Sequence, residues 1–346
     1  MKRSTSFLLS MGICIAVITI FLALSSDAPV ETLILFFTQT FSSWWYAGNM
    51  LNMAVLLIPA AIGSSLALRS GSFNLGGEAQ LYAPALVTAL ILTRLPADVA
   101  AGEGFTVPAL LVLAFVCALA TGAILGAIPG ILKASFRASE LLTSFLLSAA
   151  LVPLIDYLIA GPLRDQGKNL LATKPIATMF RIPPLIPPSF FNLSFLLVLA
   201  LAFAYAFFLV KTGPGYRLGV SGIAPEFAAY TGMPIKRITI AGMSISGALH
   251  GLSGFLAVTG TWYTCHQGIT SGMGWSALAI ALIAGRNPVI VVPAALLYSW
   301  IQASGDNALL STRFDFDSTA IIQAVLFLII SAQIVLPLRR RRRKTL

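Results

Sequence analysis

Between two long apolar runs the chain reads SGSFNLGGEAQ, residues Ser70 to Gln80. An asparagine, a glutamate and a glutamine crowd into this short stretch, with the adjacent glycines Gly76 and Gly77 among them. One carboxylate with two amides makes neither an acid–base pair nor an activated nucleophile, since each of those needs a second titratable group held beside the first. No cluster of His, Asp, Glu or Cys stands elsewhere in the chain to supply one. Cys14, Cys117 and Cys265 are scattered, and Cys265-His266 offers only two adjacent ligands, a weak signal for a metal. No catalytic residue, metal or cofactor is therefore expected. The chemistry open to Phe73, Asn74, Gly76, Gly77, Glu78 and Gln80 is that of a polar path or gate.

That reading depends on where the stretch sits. The chain has 346 residues, 58% of them hydrophobic and 10% charged, against about 25% charged in soluble domains. Apolar runs of about 20 residues, enough to cross a bilayer, recur along its length. The expected fold is an all-α, polytopic transmembrane helical bundle in a single domain, residues 1–346, with a membrane core at 7–337. Ten segments can be drawn, at 7–25, 49–68, 73–92, 107–129, 139–160, 193–210, 237–258, 275–285, 289–303 and 319–337. The eighth and ninth are short, and make either one helix broken at Gly285-Arg286-Asn287-Pro288 or a half-span followed by a full one. The first resembles a signal peptide, but is read as an uncleaved helix that orients the spans behind it.

The net charge of +10 does not point to nucleic acid, because Arg339 to Lys344 form a run directly after an apolar segment. Such a run holds a helix end on the cytoplasmic side. Placing both termini in the cytoplasm also puts Lys2, Arg3, Arg69, Lys133, Arg137, Lys211, Arg217, Lys236, Arg237 and Arg286 inside. Loop 161–192 then lies outside, and its six prolines favour a stiff, extended surface. Loop 211–236 and the basic tail 338–346 lie inside.

With Arg69 at the cytoplasmic boundary, Glu78 lies on the order of 10 Å into the membrane. An ionisable group there faces the protein interior, pairs, or lines a wet path. Gly76 and Gly77 weaken a helix, and backbone freed at that depth is tolerated only within protein or along a cavity. Arg286 and Asn287 stand at a second break, and the two breaks are expected to wall one path. The alternative is a tight glycine crossing in which Glu78 is satisfied by Arg69, Arg286 or a backbone group. His250 is expected to be a packing histidine. Trp262, Tyr263 and Trp275 are expected near the outer interface, with stacking on a solute as the alternative role for all three.

Within the inner loop, APEFAAYTGMP is punctuated as a short helix. Pro225 suits its first position and Glu226 its first turn. Gly232 suits the left-handed stop, and Phe227 and Tyr230 share a face. So short a helix needs something to pack on. The surrounding GPGYRLGVSGIAPEFAAYTGM resembles the cytoplasmic loop of permease subunits of ABC importers, in the branch that moves simple sugars, nucleosides and related molecules. That family typically reads G-x-G-x-R-x-x-A-x-G-x-N-P-x-A-A-x-Y-x-G. Gly213, Gly215, Arg217, Gly222, Pro225, Ala228, Tyr230 and Gly232 match it, whereas Val220 and Ala224 depart from it. Ala224 replaces an asparagine N-cap. FNLGGEAQ is similar to the nucleoside-type motif F-N-I-G-G-E-G-Q, and the stretch from Gly272 to Gln302 resembles the late segment with its G-R-N-x-P break.

The resemblance spans roughly residues 45–335. It implies a permease subunit, not an enzyme, in a bacterial cytoplasmic (inner) membrane among its lipids. It implies an ABC ATPase subunit docked at Arg217, Pro225, Glu226, Phe227, Ala228, Tyr230 and Gly232. It further implies a second permease subunit, identical or not, and an external solute-binding lipoprotein. The implied solute is a nucleoside or similar ring-bearing molecule such as riboflavin, with simple sugars as the alternative. The chain has no G-x-x-x-x-G-K-[ST] loop of its own. An ion-coupled carrier would carry more intramembrane ionisable groups, and an enzyme acting on lipid-linked substrates would need the cluster that is missing. A purely structural subunit fits poorly with two polar breaks.

Overall fold

The computed structural model describes residues 28–93, 106–285 and 287–311, with scattered positions and short runs between 12 and 26. The elements are α1 (Pro29–Thr38), α2 (Trp44–Arg69), α3 (Gly77–Thr93), α4 (Thr106–Phe136), α5 (Glu140–Ala160), α6 (Ser194–Lys211), α7 (Gly213–Ile223), α8 (Pro225–Tyr230), α9 (Ile235–Ala257), α10 (Met273–Ala284) and α11 (Val291–Ser311). Among the described residues six helices are long and apolar enough to cross a membrane. The expected last segment, the basic tail and both termini lie outside the described residues.

Several boundaries differ from expectation, each for a local reason. The segment expected from residue 73 becomes helical only at Gly77, because its first residues run extended. The break at Gly285 separates a 12-residue helix from one of 21 residues, so of the two readings the half-span followed by a full span holds. Helix α1 was not expected. Nor was α7, whose four glycines argue against helix. It forms because Thr212 Oγ1 caps it, accepting from the Gly215 amide at 3.2 Å, with proline in its first turn.

Helices α2 and α9 are the most buried of the long spans. Helix α9 lies on α4 along a stripe of glycines. A Cβ on Gly122 would overlap the carbonyl oxygen of Gly247, and one on Gly126 that of Met243. Glycine at every fourth position, Gly122, Gly126 and Gly130 against Gly247 and Gly251, brings the two backbones together where the hydrophobic effect gives no drive between helices. Helices α4, α5 and α6 turn apolar side chains outward, among them Val116, Leu146 and Phe203, as a lipid-facing surface requires.

Loop 161–192 is extended, but it is more than surface. The Thr173 amide donates to the Cys265 carbonyl (2.9 Å), Ile176 to Tyr263 (2.8 Å) and Ile182 to Thr259 (2.9 Å). Ile176 and Phe180 are buried. The prolines keep the loop extended, and these bonds and the two apolar anchors pin it over the end of α9.

Candidate functional site

Helix α2 ends at Arg69, and Gly71, at φ +76°, turns the chain back into the bundle. Only glycine adopts that angle without strain. Residues 72–76 then run without helical pairing, and inside a bilayer each unpaired amide costs several kcal/mol. Helix α5 meets this need. Glu140 Oε1 accepts from the Phe73 amide (3.4 Å), Ser144 Oγ from Leu75 (3.0 Å) and Ser148 Oγ from Ala79 (3.1 Å). These three side chains are four residues apart, on one face of α5. Four helical residues climb about 6.0 Å and two extended ones about 6.6 Å, so from Phe73 to Leu75 helix and extended chain stay in step, and Ala79 follows after the chain turns helical at Gly77. Lys133 Nζ closes the lower end, donating to the Gly71 carbonyl (2.6 Å) and pairing with Glu140 (2.7 Å).

Asn74 and Gln80 face each other. Asn74 Nδ2 donates to Gln80 Oε1 (2.6 Å), and Gln80 Nε2 donates back to Asn74 Oδ1 (3.1 Å). Asn74 Nδ2 also reaches Ser246 Oγ of α9 (2.9 Å), and Asn74 Oδ1 takes the Gly76 amide (3.0 Å). Both side chains are buried. They hold the break in shape from behind, while Phe73 and Glu78 stay partly exposed.

Glu78 lies in the first turn of α3. Its Oε1 accepts from the Gly274 amide (2.8 Å) and the Trp275 amide (3.3 Å), 196 and 197 residues away in sequence. Those are first-turn amides of α10, whose own N-cap is Gly272 and supplies no side-chain cap. The positive ends of two helix dipoles thus converge on one carboxylate, which offsets both. Glycine on both sides permits the approach. A Cβ on Gly77 would stand 2.9 Å from His250 Nε2 and 3.0 Å from Gly274 Cα, and one on Gly274 would overlap the Glu78 amide nitrogen. His250 is a packing residue here, fully buried, its Nδ1 bonded to the Ser246 carbonyl at 2.8 Å.

Two expectations are corrected. Trp275 does not sit at an outer interface. It lies beside Glu78, its amide bonded to the carboxylate, 37% exposed and tilted against Phe145 with ring centres 6.3 Å apart. The two polar breaks do not face each other, because Glu78 meets the start of α10 and the second break is at its far end. There Gly285 takes φ +57°, and Asn287 Oδ1 accepts from Val289 (3.1 Å) to cap a short turn before α11. Arg286 lies outside the described residues. Among the described residues, the partners found for Glu78 are backbone amides, one of the alternatives weighed for it.

Helix α8 spans Pro225–Tyr230 as punctuated, Gly232 taking φ +78°, and Ala224 gives no side-chain cap. Ala228 is buried, whereas Phe227 is 56% and Tyr230 91% exposed. Arg217, Pro225 and Glu226 are exposed too. Helix α7 carries α8 and rests on the turn that opens the extended stretch: a Cβ on Gly222 would overlap the Arg69 carbonyl oxygen. The exposed helix α8 is thus in packed contact, through α7, with the segment that leads to Glu78. Gly222 and Lys133 were read only as a motif match and a cytoplasmic charge, and their contacts here, together with Gly274 and the Glu140, Ser144, Ser148 stripe, escaped the sequence reading. The stripe could have been found there, as polar residues at every fourth position of an apolar run.

Comparison with known proteins agrees with this architecture. The chain is 38% identical to the probable riboflavin import permease protein RfuC of Treponema pallidum, over 96% of this chain and 86% of that protein. It is 28% identical to the guanosine ABC transporter permease protein NupP of Bacillus subtilis, over 84% and 82%. It is 29% identical to the glucose ABC transporter permease protein TsgB13 of Haloferax volcanii, over 89% and 82%. No solved structure matches. Residues 46–332 match the family described as branched-chain amino acid transport system, permease component; the chain belongs to that family and is a multi-pass membrane transport subunit rather than an enzyme.

Proposed function

We propose that this subunit forms the solute path of an ABC importer for a nucleoside or a riboflavin-like molecule. The observation that carries the solute class is the likeness to the Treponema protein over nearly the whole chain. The likeness to guanosine and nucleoside permeases supports the same class of flat, nitrogen-rich rings. An external binding protein delivers the solute, and a second permease subunit completes the path. An ATPase subunit docks on α8 through Glu226, Phe227 and Tyr230, with Arg217, Pro225, Ala228 and Gly232 shaping the contact. The charge bias supports cytoplasmic termini, a cytoplasmic α8 and placement in a bacterial inner membrane.

In this reading Phe73, Glu78 and Trp275 border the gate. Asn74, Gly76, Gly77 and Gln80 hold its backbone open, and Asn287 caps the turn that follows the far end of α10. Vesicles holding the assembled importer, with its binding protein and ATP, are expected to accumulate labelled riboflavin or guanosine, and vanadate is expected to stop them. Accumulation of glucose alone would replace the solute class. Uptake that ignores vanadate and follows an ion gradient would replace the mechanism.

A further inference from the structure

A cavity of about 240 Å³ opens at the end of the bundle where loop 161–192 is pinned, away from Glu78 and α8. Helix α2 lines it with Trp45, Asn49 and Asn52, spaced to share one face, and α11 with Gln302 and Asp306, four residues apart. A third side is Trp262, at the end of a π-helical turn, Val258–Trp262, that closes at Tyr263 with φ +58°. Such turns are rare and gather at functional sites.

Three features mark a binding site rather than a packing fault. Asn52 is held in place, its Nδ2 donating to Thr261 Oγ1 at 3.0 Å and its Oδ1 accepting from Asn192 at 3.4 Å. Gln302 Oε1 is buried with no hydrogen-bond partner among the described residues, in a bundle where a buried acceptor normally has one. Trp45, Trp262 and the amides put flat apolar faces and paired donors and acceptors around one space, which a lipid tail would leave unsatisfied.

Resting on the functional reading above, we propose that this cavity receives the heteroaromatic ring of the solute as it enters the permease. Indole faces stack on the ring; the Asn49 amide nitrogen, its oxygen held by the Phe190 amide at 3.0 Å, and Gln302 Oε1 read the carbonyl and N–H groups at its edge. Side chains recognise unpaired nucleobases in the same way, by stacking on the face and hydrogen bonding at the edge. The volume is below the about 300–1,000 Å³ of sites for drug-sized ligands, so it takes the ring and leaves the sugar or sugar-alcohol part outside. The assignment is to an entry site, separate from the gate at Glu78.

The test compares uptake of labelled riboflavin, guanosine and glucose by vesicles holding the full importer, in wild type, Gln302→Leu, Trp262→Ala and Trp262→Phe. Co-purification with the ATPase subunit shows that each variant assembles. Trp262→Ala is expected to lower heterocycle uptake by about tenfold or more, with Trp262→Phe restoring most of it. Gln302→Leu is expected to lower it by about two- to tenfold. Assembled variants that carry riboflavin and guanosine at wild-type rates would overturn the cavity's assignment and leave the functional reading standing. Variants that lose glucose uptake instead would reassign the cavity to a sugar. Wild-type vesicles that take up neither heterocycle would sink the functional reading, and this inference with it.

Discussion

A leucine at Gly77 is expected to abolish uptake. The site has no spare volume: even a methyl group meets His250 Nε2 at 2.9 Å and Gly274 Cα at 3.0 Å. Backbone on one side and a histidine bonded to its own helix on the other cannot give way cheaply. Overpacking of this kind costs about 1–3 kcal/mol in ordinary cores. Here it would also push α10 away from Glu78, leaving first-turn amides without their acceptor inside the membrane. The expected result is a subunit that accumulates poorly, and whose surviving fraction transports at background level. Gly77→Ala is expected to fall between. Gly219→Leu, where nothing lies within 4 Å of the added Cβ, is expected to behave as wild type. Uptake by Gly77→Leu equal to that of Gly219→Leu would show that α3 and α10 do not need this approach.

Tyr230→Asp is expected to uncouple the importer without disturbing the subunit. At 91% exposure the ring contributes almost nothing to the fold of this chain. A large exposed aromatic on a short helix is instead suited to the centre of a protein contact, where truncating such a residue costs about 2 kcal/mol or more. Aspartate adds the cost of burying a charge without a partner. The variant is expected to purify in wild-type amount, to lose about 30-fold or more in affinity for the ATPase subunit, and to lose ATP-driven uptake. Normal uptake would reduce α8 to a surface helix.

What the sequence shows and what it hides divide along physical lines. The ends of α8 were legible because proline and glycine act on the residues beside them. The membrane class was legible because composition is a property of the whole chain. Helix α7 was hidden by its glycines, which look like loop but serve close approach, Gly222 to the Arg69 carbonyl and Gly215 to that of Phe208. The polar character of Asn74, Glu78 and Gln80 was plain, but the partners were not, since the Gly274 amide is 196 residues from Glu78. Nothing local in the sequence encodes that pairing. Trp275 was assigned to an interface on the assumption that its helix begins at one. The 12-residue length of α10, too short to span, was the cue that it starts within the bundle.

The central claim is that the carboxylate holding the first turns of α3 and α10 together belongs to the part of the path that moves in the ATP cycle. Glu78→Gln tests it most directly. Glutamine keeps the acceptor for Gly274 and Trp275 but removes the charge that offsets two helix N-termini, a contribution of about 0.3–1 kcal/mol each and up to ~2 in buried geometry. The measurement is the amount of solute transported per ATP hydrolysed by the reconstituted importer. The expected result is an assembled complex that still hydrolyses ATP, with that ratio lowered about threefold or more. Wild-type assembly with a wild-type ratio would contradict the claim and leave Glu78 a tolerated polar residue.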